Sequence, residues 1–291
     1  MELRDFMAEV PDISSFPAEV LLAQSANVAG ATRMYTVSTD NPELEEGVVL
    51  LSRRQIQWIA QLGSLAGQFT VHADGKYKLH HGGWILLTAG IHYPNRDAKS
   101  ASKLVTSFVP LCHALKKAGE SDAGCAILLH ALNAVSSHVI GVPLKPGATT
   151  SDHSDAFRNA FKTEYPSSVF TQCYPHIIRK FGQGEYMRKN HVNYPDAVDH
   201  IRAIHFAITT PMKDLIVQTV GKVWDTWDGK PMHVFWNSYC LAPWDNWHIG
   251  VCPPILHTPS NQTIESYHKT ILRSSLPGLF KSSTEQLLGV A

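Results

Sequence analysis

Phe69-Thr-Val-His-Ala-Asp74 is an apolar run that closes on an acid, and its reading decides the fold. Ala148-Thr-Thr-Ser-Asp152 has the same form. A helix pattern follows it at once, through Ala156, Phe157, Ala160, Phe161 and Tyr165, with Ser154 placed to cap the start. A third acid, Glu265, sits on a helical stripe of Ile264, Tyr267, His268, Ile271 and Leu272, after the start signals Pro259, Ser260 and Asn261. Two acids at strand ends and one on a later helix can hold a pair of divalent cations that clamp the attacking and leaving oxygens of a phosphoryl transfer. Carboxylates suit Mg²⁺, a hard cation that prefers oxygen.

Outward from these acids, Ile56, Trp58, Ile59 and Leu62 predict a helix within 51–65. Asp74-Gly75 is a common turn pair, so the chain is expected to turn there and return through Lys76–His80. Trp84–Tyr93 is nearly all apolar, as a strand covered on both faces would be. A third strand is expected within Lys103–Pro110, a helix over 122–139 and a short strand over Ser168–Cys173. Strands in hairpin order that then alternate with helices give a mixed α/β sheet. The interval from Asp74 to Asp152 is 78 residues (152 − 74), enough for two strands and a helix. The interval from Asp152 to Glu265 is 113 residues (265 − 152), so a further unit is inserted, read as helices such as Tyr194–Ile208 and Pro211–Trp227. The chain thus divides into a leader over 1–50, a first core segment over 51–180, a mostly helical insertion over 181–257 and a closing helix and tail over 258–291.

The chain has 291 residues, with 44% apolar and 17% charged content, as expected of a core-forming protein. Lys plus Arg equals Asp plus Glu at 25 each, so no global basic excess marks a dedicated DNA-binding module. The five scattered cysteines predict a reducing compartment rather than a disulfide framework. No apolar run approaches the roughly 20 residues needed to span a bilayer, and no Lys/Arg cluster reads as a nuclear import signal.

Four segments, in order, resemble the signature words of Mutator-like (MULE) DNA transposases: Asp74-Gly-Lys-Tyr-Lys-Leu79, Ser151-Asp-His-Ser-Asp-Ala156, Gln172-Cys-Tyr-Pro-His176 and Ser260-Asn-Gln-Thr-Ile-Glu-Ser266. The resemblance covers roughly 50–275. It implies a ribonuclease-H-like mixed sheet flanked by helices, with a helical insertion before the last catalytic helix. It also implies a catalytic, metal-binding triad of Asp74, Asp152 and Glu265, two Mg²⁺ or Mn²⁺ ions, and cleavage and strand transfer at transposon ends. The implied partners are terminal-repeat and target DNA, with the nucleus as location and a homo-oligomer as a candidate assembly. No zinc-finger-like module is seen upstream. The alternatives are therefore a truncated or host-adopted DNA-binding protein without catalysis, and a stand-alone metal nuclease.

Other residues carry more than one reading. Asp155 competes with Asp152 but reads better as a first-turn helix acid. Cys173 and His176 form a Cys-x-x-His pair, either structural or half of a Zn²⁺ site completed from Cys240, His248, Cys252 and His257. Lys76, Lys78 and His268 are candidate DNA contacts, with His80 and His81 beside them. Trp224, Trp227, Trp236, Trp244 and Trp247 read first as the core of the insertion, and second as stacking platforms for unpaired bases.

Overall fold

Alternating side chains decide the architecture. Along Val71-His-Ala-Asp74, Val71 and Ala73 enter an apolar core, whereas His72 and Asp74 meet polar partners on the other side. The same alternation recurs in Leu87-Thr-Ala89 and Cys112-His-Ala114, where Thr88 and His113 share the polar side. One sheet therefore has a dry face and a polar face. The computed structural model describes residues 47–50, 53–76, 84–97, 100–117, 121–183, 186–227, 230–251 and 260–270.

The strands are β1 (Gly47–Leu50), β2 (Thr70–Lys76), β3 (Trp84–Asp97), β4 (Ser100–Lys117), β5 (Ala148–Ser151) and β6 (Val169–Gln172). They form a mixed sheet in the order β1-β4-β3-β2-β5-β6. β1, β4, β3 and β2 pair antiparallel, whereas β2, β5 and β6 are parallel. The dry face is covered by α1 (Arg53–Leu62), α2 (Asp122–Ile140) and α3 (Asp155–Glu164). Ser121 caps α2 by accepting the Gly124 N–H at 3.2 Å, and Gly141 ends it at φ 77°, a left-handed conformation that suits glycine. Ser154 accepts the Phe157 N–H at 3.3 Å, as the sequence predicts.

Four helices, α4 (Tyr174–Gly182), α5 (Tyr194–His205), α6 (Thr210–Trp224) and α7 (Lys230–Tyr239), share a second apolar core. Ile177, Phe181, Ile201, Val220, Trp224, Phe235 and Trp247 are buried in it. The last described helix, α8 (Gln262–Thr270), packs on the polar face, against β2 and β4. No described helix is long and apolar enough to cross a membrane.

Several boundaries differ from expectation. Gly75 does not turn the chain; it stays in β2 opposite Leu87. The long hairpin of β3 and β4 continues beyond both expected strands and absorbs a bulge at Ala89/Gly90. Gly47–Leu50, expected in the leader, adds an edge strand to the sheet. The helix α4, which the sequence reading did not anticipate, begins at the Cys173-Tyr-Pro-His176 word. The rest of the leader up to residue 46, Lys78, His80, His81, Cys252, His257, Pro259, Ile271, Leu272 and the tail lie outside the described residues.

Candidate active site

The first two acids lie on or beside neighbouring parallel strands, but Asp74 is not at the strand end expected of it, because pairing with β3 carries β2 on to Lys76. In the parallel ladder Thr70 stands opposite Ala148, Val71 opposite Thr149 and His72 opposite Thr150. The paired residues end there, and Asp74 and Asp152 each lie two residues further along their chains. Asp74 is 8% exposed, and its Oδ1 accepts the Gly75 N–H at 3.0 Å. Asp152 lies just past the end of β5, and the chain is held there by the Cys173 N–H donating to Ser151 O at 2.9 Å. Asp155, its competitor, points to Arg158 at 2.7 Å on the exposed first turn of α3.

The third acid arrives on α8. Asn261, fully buried before its first turn, fastens that helix to two other elements. Its side-chain amide donates to Ala73 O at 2.9 Å, its Oδ1 accepts from His72 Nδ1 at 3.1 Å, and its backbone N–H donates to Cys173 Sγ at 3.0 Å. Glu265 lies one turn further. Its Oε1 and Oε2 lie 2.8 and 2.9 Å from Arg179 Nη2, and Oε1 lies 3.2 Å from His176 Nε2. Burial lowers the His176 pKa, and Glu265 and Asp74 both act against that fall, so both carboxylates lie within electrostatic reach of one ring. Burial pushes the Cys173 thiol up to about 12; hydrogen bonds from Asn261 and His176 oppose the rise, and Glu265 and Asp152 add to it. Glu265 is the acid in direct contact with α4, through His176 and Arg179.

Beneath α8 a buried polar chain runs away from Asp74. His268 Nδ1 lies 3.6 Å from Asp74 Oδ2, a charge contact rather than a hydrogen bond. His268 Nε2 is 2.9 Å from Thr88 Oγ1, which is 3.1 Å from His113 Nδ1; His113 Nε2 is 3.1 Å from the Tyr267 hydroxyl. One set of tautomers satisfies every link: Tyr267 O–H donates to His113, His113 N–H to Thr88, Thr88 O–H to His268, and His268 Nδ1–H faces the carboxylate. Burial, with His268 contributing, lowers the His113 pKa to about 3, which keeps that ring neutral as this direction requires. His268, a candidate DNA contact that reads better as a half-buried helix histidine, is only 2% exposed and has internal partners in Asp74 and Thr88. Lys76, at the end of β2, is partly exposed.

Cys173 serves as an acceptor for the α8 start, and its neighbour in the motif, His176, faces Glu265. Cys240 is buried in the second core with its thiol pushed up to about 12, chiefly by burial. His248 approaches Thr210 Oγ1 at 3.5 Å. Of the five clustered tryptophans, Trp224 and Trp247 are buried in the second core, and Trp227 and Trp236 pack against it. Trp244 instead stacks on His153, the residue after Asp152, at 4.1 Å, with the Arg158 guanidinium 4.8 Å from its ring.

The donor set of Asp74, Asp152 and Glu265 fits hard divalent cations, since all three supply carboxylate oxygen. Among the described residues, however, no three His, Cys, Asp or Glu side chains stand arranged around a common ion position. Glu265 is turned to Arg179 and His176 instead. Neither the family models nor the curated proteins searched contain a match to this chain.

Proposed function

We propose that this protein is a metal-dependent DNA-cleaving enzyme of the Mutator-like transposase type, built on a ribonuclease-H-like core. The observation that carries the reading is the parallel pairing of β2 and β5, whose last pair lies two residues before Asp74 and Asp152, with Glu265 on a helix fastened to β2 at Ala73. The strand order supports it as well: a three-strand antiparallel meander continues through β2 into two parallel strands. Asp74, Asp152 and Glu265 would hold two Mg²⁺ or Mn²⁺ ions. Such ions, when bound, supply charge stabilisation to the attacking and leaving oxygens of the phosphodiester.

The protein's own groups do the rest. Gly75 N–H and His268 fix the orientation of Asp74. Asn261 sets how far Glu265 stands from β2. Lys76 lies beside Asp74 in sequence, where a phosphate could meet it, and DNA ends in a nuclear setting are the proposed substrate. Labelled terminal-repeat DNA incubated with Mg²⁺ or Mn²⁺ tests the reading, with Asp152→Asn as the comparison. Cleavage by the native chain and its loss in the variant is the expected result; equal cleavage by both overturns the mechanism. One observation favours a second reading, a DNA-binding descendant without catalysis: the Arg179–Glu265 pair occupies the third carboxylate. In that case both proteins bind the DNA and neither cuts it.

A further inference from the structure

We propose that Arg179 is an exchangeable clasp on Glu265, which holds the carboxylate until a divalent cation takes it and then turns to the phosphate backbone of the nucleic acid. The inference rests on the metal-dependent reading above. His176, Arg179 and Lys180 lie on α4 at the i, i+3 and i+4 spacing of one helix face, and Ile177 and Phe181 are buried in the second core. This places a local basic face beside the acids in a chain with no net charge.

The grip has the marks of one that lets go. Both oxygens of Glu265 are contacted through the single nitrogen Nη2, at 2.8 and 2.9 Å. The fork-on-fork geometry that makes arginine–carboxylate pairs strong is not used. The Arg179 side chain is 46% exposed, against 18% for Glu265. With its arginine half-exposed and screened by solvent, the pair contributes on the order of 1 kcal/mol, so a doubly charged ion or a phosphate can displace it. His176 remains as a second hold on Oε1 from the buried side, with its own side chain 18% exposed, so Glu265 keeps its direction when the arginine leaves. An exposed guanidinium released at that point is suited to a phosphodiester oxygen.

The test uses the full chain with Arg179→Gln and Arg179→Lys. Mn²⁺ binding is read from the free-ion paramagnetic resonance signal, and binding of a short DNA duplex from fluorescence anisotropy across a salt series. Arg179→Gln is expected to bind Mn²⁺ about three- to tenfold more tightly. It is also expected to bind DNA more weakly, with a salt slope smaller by roughly 0.7–0.9. Arg179→Lys retains the salt slope. Unchanged or weaker Mn²⁺ binding in Arg179→Gln, or an unchanged salt slope, overturns the clasp while leaving the metal reading intact. Native protein that binds no Mn²⁺, or binds it as well after Asp152→Asn, removes the metal reading itself and the clasp with it.

Discussion

Thr88→Val is the sharpest probe of the polar face, because it deletes one hydroxyl and almost nothing else. Thr88 is fully buried, and its Oγ1 joins His268 Nε2 at 2.9 Å to His113 Nδ1 at 3.1 Å. Valine has nearly the same shape and suits a strand, so packing is retained. Two ring nitrogens lose their partner inside the protein, at about 1–3 kcal/mol each. The added apolar burial returns roughly 0.8 kcal/mol for one methyl-sized group. The net expectation is a loss of about 1–5 kcal/mol of unfolding free energy. Thr88→Ser is the control: it keeps the hydroxyl, removes one methyl and costs about 1 kcal/mol. Urea unfolding followed by tryptophan fluorescence measures both. A Thr88→Val protein within about 0.5 kcal/mol of the native chain, or one more stable than Thr88→Ser, would show that the His268–Thr88–His113 chain contributes nothing.

Acid should destabilise the fold in a defined window. Burial holds His92 near 4 and His113 near 3, below the ordinary 6.5. The unfolded chain then binds more protons than the folded one. Stability is full above about pH 6.5 and falls as pH drops toward 4, by up to about 1.4 kcal/mol per pH unit for each such ring. A urea series at several pH values reads this, and a flat profile from 6.5 to 4 contradicts it. Asn261→Ala removes two side-chain bonds, to Ala73 O and His72, and should lower stability by about 2–4 kcal/mol by the same assay. A change below about 0.5 kcal/mol would deny Asn261 its fastening role. At Gly90 an added Cβ would lie 2.3 Å from Val109 O and 2.5 Å from the Phe108 ring, so Gly90→Ala must part β3 from β4 and should cost about 3 kcal/mol or more. A melting temperature unchanged within a degree would refute that.

The strands β2 and β5 were legible because each carries its own signal, an extended apolar or β-branched run that leads to an acid, although β2 runs two residues beyond Asp74 and β5 stops one short of Asp152. The helices α2 and α3 were legible from apolar spacing, and α3 also from its cap Ser154; the cap of α2, Ser121, emerged only in the structure. The short helix α4 was not, because it spans only nine residues and its start signal, Pro175, lies inside the Cys173-Tyr-Pro-His176 ligand-like pair. Gly75 misled in the opposite direction: Asp-Gly is a turn pair in isolation, but pairing with β3 carries the strand through it. The partners around the acids had no local signature at all. Arg179 meets Glu265 across 86 residues, and Thr88 meets His268 across 180. A threonine inside an apolar strand and an arginine on a helix surface look ordinary until the fold sets them against their partners.

The closeness of β2 and β5, the strands that lead to the two aspartates, is set by main-chain amides rather than by the loops that separate them. Rungs of a ladder keep their spacing whatever hangs between the uprights. Loops on the path from one acid to the other can therefore grow, shrink or be replaced without disturbing the gap across which the pair would act. The helical unit ahead of Glu265 enjoys less licence, because the single residue Asn261 must still dock where that excursion returns to the sheet.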